Sequence, residues 1–291
     1  MEELRNPVDK LEHVVRLHRL RVVVPALRAG VLAACLGLQV FLAWAAVAQT
    51  PVDLELVIAV DVSLSMDLDE QRLQRDGYVE AFRDPEIHKA LASGPYGRIA
   101  ATYMEWAGPP SQTVIIPWTL IDGPEAARAF ADRLEATPIS RARLTSISAA
   151  LQFSKDLLAG SRVKGIRRVI DVSGDGPNNA GAPVTPIRDE LVADGIVING
   201  LPITLKTSVP SFFDLADLDR YYAECVIGGT GSFMVPVKDM AEFKTAIRRK
   251  LLLEISGLGA PARLVPTQTA PPYDCAIGER QWRWYLDRAP N

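Results

Sequence analysis

The sequence predicts an α/β fold: a doubly wound, mostly parallel sheet with one antiparallel edge strand and helices on both faces. Short apolar runs alternate with stretches of helical spacing along most of the chain, as expected where helices cover both faces of a parallel sheet. Two neighbouring runs are joined only by Gly108-Pro109-Pro110, a connection short enough for an antiparallel hairpin. The composition, with 48% hydrophobic and 23% charged residues, is that of a globular protein.

Each predicted element has a local signal. The run 54–60 is apolar and ends in polar residues, which is typical of a buried strand. Asp67 and Glu70 have the spacing of a capping box at the start of the first helix. The predicted strands are 54–60, 98–106, 113–120, 167–172, 196–203 and 231–237, and the predicted helices are 69–83, 124–136, 145–158, 185–193, 213–225 and 239–256.

Residues 1–48 have the pattern of a secretory signal. A segment with Arg16, Arg19, Arg21 and Arg28 leads into a 20-residue apolar stretch, 29–48, which ends in Ala46-Val47-Ala48 before Gln49, a small-residue cleavage pattern. An uncleaved anchor is the alternative, since about 20 apolar residues span a bilayer, and a lipoprotein site at Cys35 is a weaker one. We predict export to the periplasm or beyond, with a domain over 49–257 and a proline-rich extension, 258–291, that packs on it.

Charge and cysteine content narrow the function classes. The net charge is −3, and it becomes −5 without residues 1–48, which hold six basic and four acidic residues. This balance argues against nucleic-acid binding, and membrane contact is expected only through the N-terminal segment if it is uncleaved. Cys225 and Cys275 remain in the exported chain, and we predict a disulfide between them. Two buried free thiols are the alternative.

Three loops at strand ends or helix starts are rich in oxygen ligands. Asp61, Ser63 and Ser65 follow the first strand, Thr145 opens a helix, and Asp175 follows the strand 167–172. Ligands of open α/β sheets lie beyond the carboxyl ends of the strands, and Mg²⁺ prefers oxygen donors in near-octahedral geometry. The alternative for each loop taken alone is an ordinary turn or helix cap. Together they predict a site for Mg²⁺, with Mn²⁺ or Ca²⁺ as substitutes.

Asp-x-Ser-x-Ser at 61–65, Thr145 and the Asp-Gly pair at 175–176 resemble the metal-ion-dependent adhesion site of the von Willebrand factor A domain. The likeness covers about 53–257 and is closer still to a secreted proteobacterial branch of unknown function, in which the motifs around Asn178 and Cys225 are similar. The resemblance implies that Asp61, Ser63, Ser65, Thr145 and Asp175 are the metal ligands. Ser173 and Asn178 are expected to support them through hydrogen bonds or water.

The resemblance implies an adhesion or scaffolding module whose metal binds an acidic residue of a partner protein. Arg141 and Arg143 precede Thr145 and are expected either to border this face or to lie in a solvated loop. A metal-assisted phosphohydrolase is the alternative, but Ser63 stands where haloacid-dehalogenase phosphatases need a second aspartate. His88 is the only histidine after residue 48, which disfavours a Ser-His-Asp hydrolase. We therefore predict a protein that is not an enzyme. A structural domain with an empty site is a third hypothesis.

Overall fold

A computed structural model describes residues 49–205, 212–257 and 271–288 of the 291-residue chain. The signal or anchor predicted for 1–48 and most of the proline-rich part of the C-terminal extension lie outside the described residues. No helix within the described ranges combines the length and the apolar character that crossing a bilayer requires.

Five strands form a single sheet in the order β3-β2-β1-β4-β5. Neighbours pair in parallel except β3, which runs antiparallel to β2 at the edge. This confirms the predicted sheet, including its antiparallel edge strand. The strands are β1 (Thr50–Asp61), β2 (Ile99–Trp106), β3 (Gln112–Ile121), β4 (Val163–Gly174) and β5 (Val197–Pro202).

Helices cover both faces of the sheet. They are α1 (Leu68–Arg83), α2 (Pro85–Ser93), α3 (Pro124–Ala136), α4 (Ile147–Ala159), α5 (Val184–Ala193), α6 (Leu218–Tyr221), α7 (Phe243–Ser256) and α8 (Ile277–Arg288). The predicted capping box begins α1: the carboxylate of Asp67 accepts from the amides of Asp69 and Glu70, and Glu70 accepts from the amide of Asp67. Helix α2 was not predicted; Asp84 caps it, and Pro85 occupies its first turn, where its missing N–H costs nothing.

The strand β1 divides the core into two apolar layers. Leu56 and Ile58 point to one face and pack with side chains of α1, α3 and α7. Val57 and Ala59 point to the other face and pack with side chains of α4, α5 and α6. Alternate residues of a strand face opposite sides, so a strand buried on both faces reads as a continuous apolar run.

Buried ion pairs fasten two helices to the sheet. Lys250 of α7, 1% exposed, pairs with Asp171 of β4 and, at 2.8 Å, with Glu254. Arg75 of α1 pairs with Glu105 of β2, and both side chains are buried. Each of these charges has its counter-charge inside the fold, as buried ions require.

Two predicted elements differ from the structure. The strand over 231–237 is wrong: only single bridges join Met234 to Gly200 and Val237 to Ile203. Gly231 has a left-handed backbone, with φ of 76°, and proline at 236 offers no N–H for a ladder. The helix over 213–225 is also wrong in extent: α6 begins at Leu218 and continues as a π-helical turn over Tyr222–Val226.

Candidate metal site

Asp61 is the last residue of β1, and its two carboxylate oxygens have different surroundings. Oδ1 accepts a hydrogen bond from the amide of Ser63 at 2.7 Å and so closes the turn after the strand. Oδ2 is buried and has no hydrogen-bond partner among the described residues. A buried carboxylate oxygen without a donor is costly. The turn therefore explains the position of Oδ1 but leaves the burial of Oδ2 uncompensated.

A chain of short contacts joins Asp61 to the loop after β4. The hydroxyls of Ser63 and Ser65 share a hydrogen bond of 2.7 Å, and the Ser65 hydroxyl donates to Oδ1 of Asp175 at 2.7 Å. The register of β1 and β4 pairs Val60 with Ser173, so both strands end at the same edge of the sheet. Four of the five predicted ligands are therefore neighbours in space.

Thr145 lies in the loop before α4, which touches both other loops. Its amide donates to Oδ1 of Asn179 at 2.9 Å, and the Asn179 amide donates to the Thr145 carbonyl at 2.9 Å. On the other side, the amide of Ala142 donates to the Val62 carbonyl at 3.1 Å. Ser146, not Thr145, caps α4 by accepting from the amide of Ala149. The alternative that Thr145 serves as the helix cap is therefore wrong.

The two predicted supporting residues bind elsewhere. The Ser173 hydroxyl accepts from the Gln74 side chain at 2.8 Å, on the side of the sheet that α1 covers. Asn178 accepts from the amide of Ser148 at 3.0 Å and donates to Glu279 of α8 at 2.7 Å. Asn178 therefore fixes the backbone of the Asp175 loop, and the hydrogen bonds of neither side chain reach the five predicted ligands.

Sequence reasoning missed several residues that shape this site. A Cβ on Gly174 would lie 2.8 Å from Oδ2 of Asp61 and 3.0 Å from the hydroxyl of Tyr222, so only glycine admits their close approach. Gln71 donates to the Ser63 carbonyl at 3.3 Å. Arg141, already singled out from the sequence, borders this loop and donates to the Met66 carbonyl at 2.7 Å. The motif Ser-Gly-Asp-Gly marks Gly174 in the sequence, whereas no local pattern marks Tyr222.

The electrostatics of the site disfavour two free carboxylates. Burial raises the pKa of Asp61 well above its ordinary value, and the charge of Asp175 raises it further. Burial also raises the pKa of Asp175 to about 7; the Ser65 hydrogen bond opposes this shift, and the charge of Glu70 adds to it. Without a cation, these carboxyl groups resist ionising together.

The donors match a hard divalent cation. The two carboxylates and the hydroxyls of Ser63 and Ser65, which the structure brings together, are oxygen ligands of the kind that Mg²⁺, Mn²⁺ and Ca²⁺ take. Thr145 joins these loops through its backbone. Within the described ranges, no group of three or more His, Cys, Asp and Glu side chains could hold a metal, so a metal here depends on the hydroxyls as well. The unpartnered Oδ2 of Asp61 is the atom that a cation would satisfy.

Comparison with known proteins agrees with this architecture. The profile of a family described as "Protein of unknown function (DUF1194)" matches residues 51–259, which is more than half of the chain. The chain belongs to this family. The DUF1194 family is von Willebrand factor A-like, which confirms the resemblance predicted from the sequence. No curated protein sequence matches the chain.

Solved structures share the fold of this DUF1194 member. Proximal thread matrix protein 1 from the mussel byssus, with a zinc-occupied metal-ion-dependent adhesion site, is 16% identical; the match covers 72% of this chain and 49% of that one, with a TM-score of 0.51. The pilus adhesin SpaC from Lactobacillus rhamnosus GG is 11% identical over 72% of this chain and 30% of that one, with a TM-score of 0.52. The chain thus spans about half or less of these proteins.

Proposed function

We propose that this protein is an exported, metal-dependent protein-binding module with a role in adhesion or scaffolding. It holds a divalent cation, Mg²⁺ in the first place, and through it binds an acidic group of a partner protein. The observation that carries this proposal is the buried Asp61. Its Oδ1 accepts from the amide of Ser63, whose hydroxyl begins the hydrogen-bonded chain Ser63–Ser65–Asp175, and its Oδ2 has no donor among the described residues. The zinc-occupied adhesion site of the mussel protein supports the cation.

The donor set explains why an acidic partner is the proposed ligand. Asp61 and Asp175 balance the two charges of the cation, and the hydroxyls of Ser63, Ser65 and Thr145 add none. A neutralised cation held mainly by hydroxyls keeps affinity for one more anionic oxygen. Ser65 is exposed, so a partner has access to this edge. A carboxylate of another protein is the common group with this chemistry.

The surrounding charges bear on the choice of partner. Arg143 is exposed on the loop that precedes Thr145. We propose that its positive charge favours a partner with an acidic surface. Arg141 has a structural role as well, because its guanidinium donates to the Met66 carbonyl at 2.7 Å and so fixes the loop of Ser63 and Ser65.

Two further observations support an exported protein that is not an enzyme. Cys225 and Cys275 form a disulfide, which confirms the predicted pairing and fits an oxidising compartment. His88 lies on α2 and not in the three site loops, and its imidazole donates to the Phe82 carbonyl at 2.9 Å. A proton-transfer role for this histidine at the carboxylates is therefore not part of the proposal.

Thermal unfolding of the purified protein tests the cation. Mg²⁺ or Mn²⁺ at about 100 times Kd is expected to stabilise the fold by about 2.7 kcal/mol relative to EDTA, and Asp61→Ala and Asp175→Ala are expected to abolish the response. Asp122→Ala is the matched control, because Asp122 is exposed and follows β3 at the opposite edge of the sheet. Equal melting in EDTA and in metal would refute the site.

A second measurement tests the acidic ligand. Bound Mn²⁺ with an open position accelerates the relaxation of water protons, and a ligand that takes this position lowers the effect. We expect a short peptide with one aspartate to lower it and the same peptide with asparagine to leave it unchanged. Equal effects of the two peptides would remove the carboxylate from the proposal and leave the metal site standing.

A further inference from the structure

We propose that the C-terminal helix α8 is a positioning element of the metal site. Gly278 and Glu279 fix the loop that carries Asp175 and, through it, set the place of Thr145. The inference rests on the proposed metal site and adds a determinant of its affinity that touches none of the five candidate ligands.

The segment that leads into α8 is fastened to the domain. A disulfide joins Cys275 to Cys225 in the π-helical turn after α6, with 5.5 Å between the Cα atoms. The Tyr273 hydroxyl donates to Asp217 at 2.9 Å, and the Tyr273 amide donates to Glu224 at 3.0 Å. The start of the helix is thus held by one covalent bond and two hydrogen bonds.

The first turn of α8 packs directly on the loop after β4. Gly278 is buried, and a Cβ at this position would lie 2.2 Å from the carbonyl oxygen of Asn178. Glu279 accepts from the side-chain amide of Asn178 at 2.7 Å. Asn178 is fully buried, so its amide has no water to replace this carboxylate. A glycine and a glutamate in succession therefore give α8 a contact that is both close and polar.

Three hydrogen bonds carry this contact to the start of α4. Oδ1 of Asn178 accepts from the amide of Ser148 at 3.0 Å, while Asn179 both accepts from and donates to the backbone of Thr145 at 2.9 Å. The loop with Asp175 and the loop with Thr145 are thereby locked together next to α8. If these hydrogen bonds are weakened, a cation must order both loops as it binds. The conformational entropy lost in that step lowers the affinity of the site for the cation.

Metal affinity separates this role from a merely structural one. A helix that only adds stability lowers the melting temperature when its contacts are removed, but leaves the Kd of the folded protein unchanged. For Glu279→Ala we expect Mn²⁺ binding, measured by calorimetry, to weaken about three- to tenfold. Glu279→Gln keeps an acceptor for Asn178 and is expected to recover part of the loss. Asp287→Ala removes an exposed carboxylate of the same helix and is expected to bind as the unaltered protein does.

The disulfide gives a second route to the same test. Reduction with dithiothreitol, or replacement of Cys225 and Cys275 together by serine, is expected to weaken Mn²⁺ binding about as much as Glu279→Ala does. Dithiothreitol is expected to change nothing further in the double variant. Unchanged affinity in the double-serine variant and in Glu279→Ala, with normal binding by the unaltered protein, would overturn this inference and leave the metal site intact.

Hydrogen exchange in EDTA tests, without any metal, whether α8 holds the loops of Asp175 and Thr145. In Glu279→Ala we expect faster exchange in the peptide that covers 173–182 and at the start of α4, and in Asp287→Ala no change. Identical exchange in all three proteins would show that α8 does not hold these loops, whatever the metal results. Absence of Mn²⁺ binding in the unaltered protein, with faster exchange in Glu279→Ala, would refute the proposed function. The contact by which α8 holds these loops would still stand.

Discussion

The metal-free protein is expected to become more stable when Asp175 is replaced by asparagine. Burial raises the pKa of this carboxyl from 3.8 to about 7, so the folded state binds its proton more tightly than the unfolded chain does. Its favourable contribution is complete below about pH 4 and is lost as the pH rises through 7. At 1.36 kcal/mol for each pKa unit, the ionised carboxylate costs about 4 kcal/mol at pH 8.

Asparagine keeps an oxygen that accepts from Ser65 and removes the charge. The same change relieves Asp61, because the charge of Asp175 is one cause of its raised pKa. We therefore expect Asp175→Asn in EDTA at pH 8 to raise the free energy of unfolding by about 2 to 4 kcal/mol. In Mg²⁺ the unaltered protein is expected to gain stability and the variant to gain none.

Urea unfolding at pH 5 and pH 8, in EDTA and in Mg²⁺, measures the free energy of unfolding of both proteins under all four conditions. Between these pH values the unaltered protein in EDTA is expected to lose about 3 kcal/mol relative to Asp175→Asn. Asp122→Asn, which changes an exposed carboxylate at the opposite edge of the sheet, serves as the control. A variant that is less stable than the unaltered protein in EDTA at pH 8 would refute the reasoning.

Two further substitutions test a close contact at the site and a buried ion pair of the core. Gly174→Ala is expected to weaken Mn²⁺ binding about tenfold, or ~1.4 kcal/mol, because its Cβ would lie 2.8 Å from Oδ2 of Asp61; Gly176→Ala, where a Cβ meets nothing within 4 Å, is the control in the same calorimetric titration, and equal affinities would contradict this. Lys250→Met leaves two buried carboxylates without their cation and is expected to cost about 3 to 5 kcal/mol in urea unfolding. The exposed pair of Lys244 gives the contrast, since Lys244→Met is expected to cost about 1 kcal/mol or less; similar losses would count against the buried pair.

The sheet was predictable because its strands have strong local signals. The apolar run within β1, the tight Gly-Pro-Pro connection and the capping box at Asp67 each depend on a few adjacent residues. The errors fall where local sequence competes with tertiary contacts. Residues 231–237 have the composition of a strand, but Gly231 and a proline interrupt the ladder. The helix around Cys225 was expected to be regular, whereas the structure places a π-helical turn there.

The meeting of the three loops was predictable from the sequence, and the contacts that support them were not. Parallel strands end at one edge of a sheet, so the order of the three loops was enough to bring Asp61 and Asp175 together. The supporting contacts join residues far apart in sequence: Glu279 bonds a residue 101 positions earlier, and Tyr221 one 43 positions earlier. No spacing rule connects such pairs, and only the folded chain shows them.

The contrast between Asp61 and two other buried acids of the fold supports an external cation. Glu105 has the buried guanidinium of Arg75 beside it, and Glu55 accepts from a serine hydroxyl and a backbone amide at 2.7 and 2.6 Å. Among the described residues, Asp61 instead has an oxygen with no donor, and the neighbouring Asp175 adds a second negative charge. The positive charge that Glu105 finds in Arg75 would reach Asp61 and Asp175, at the accessible edge of the sheet, as a bound ion.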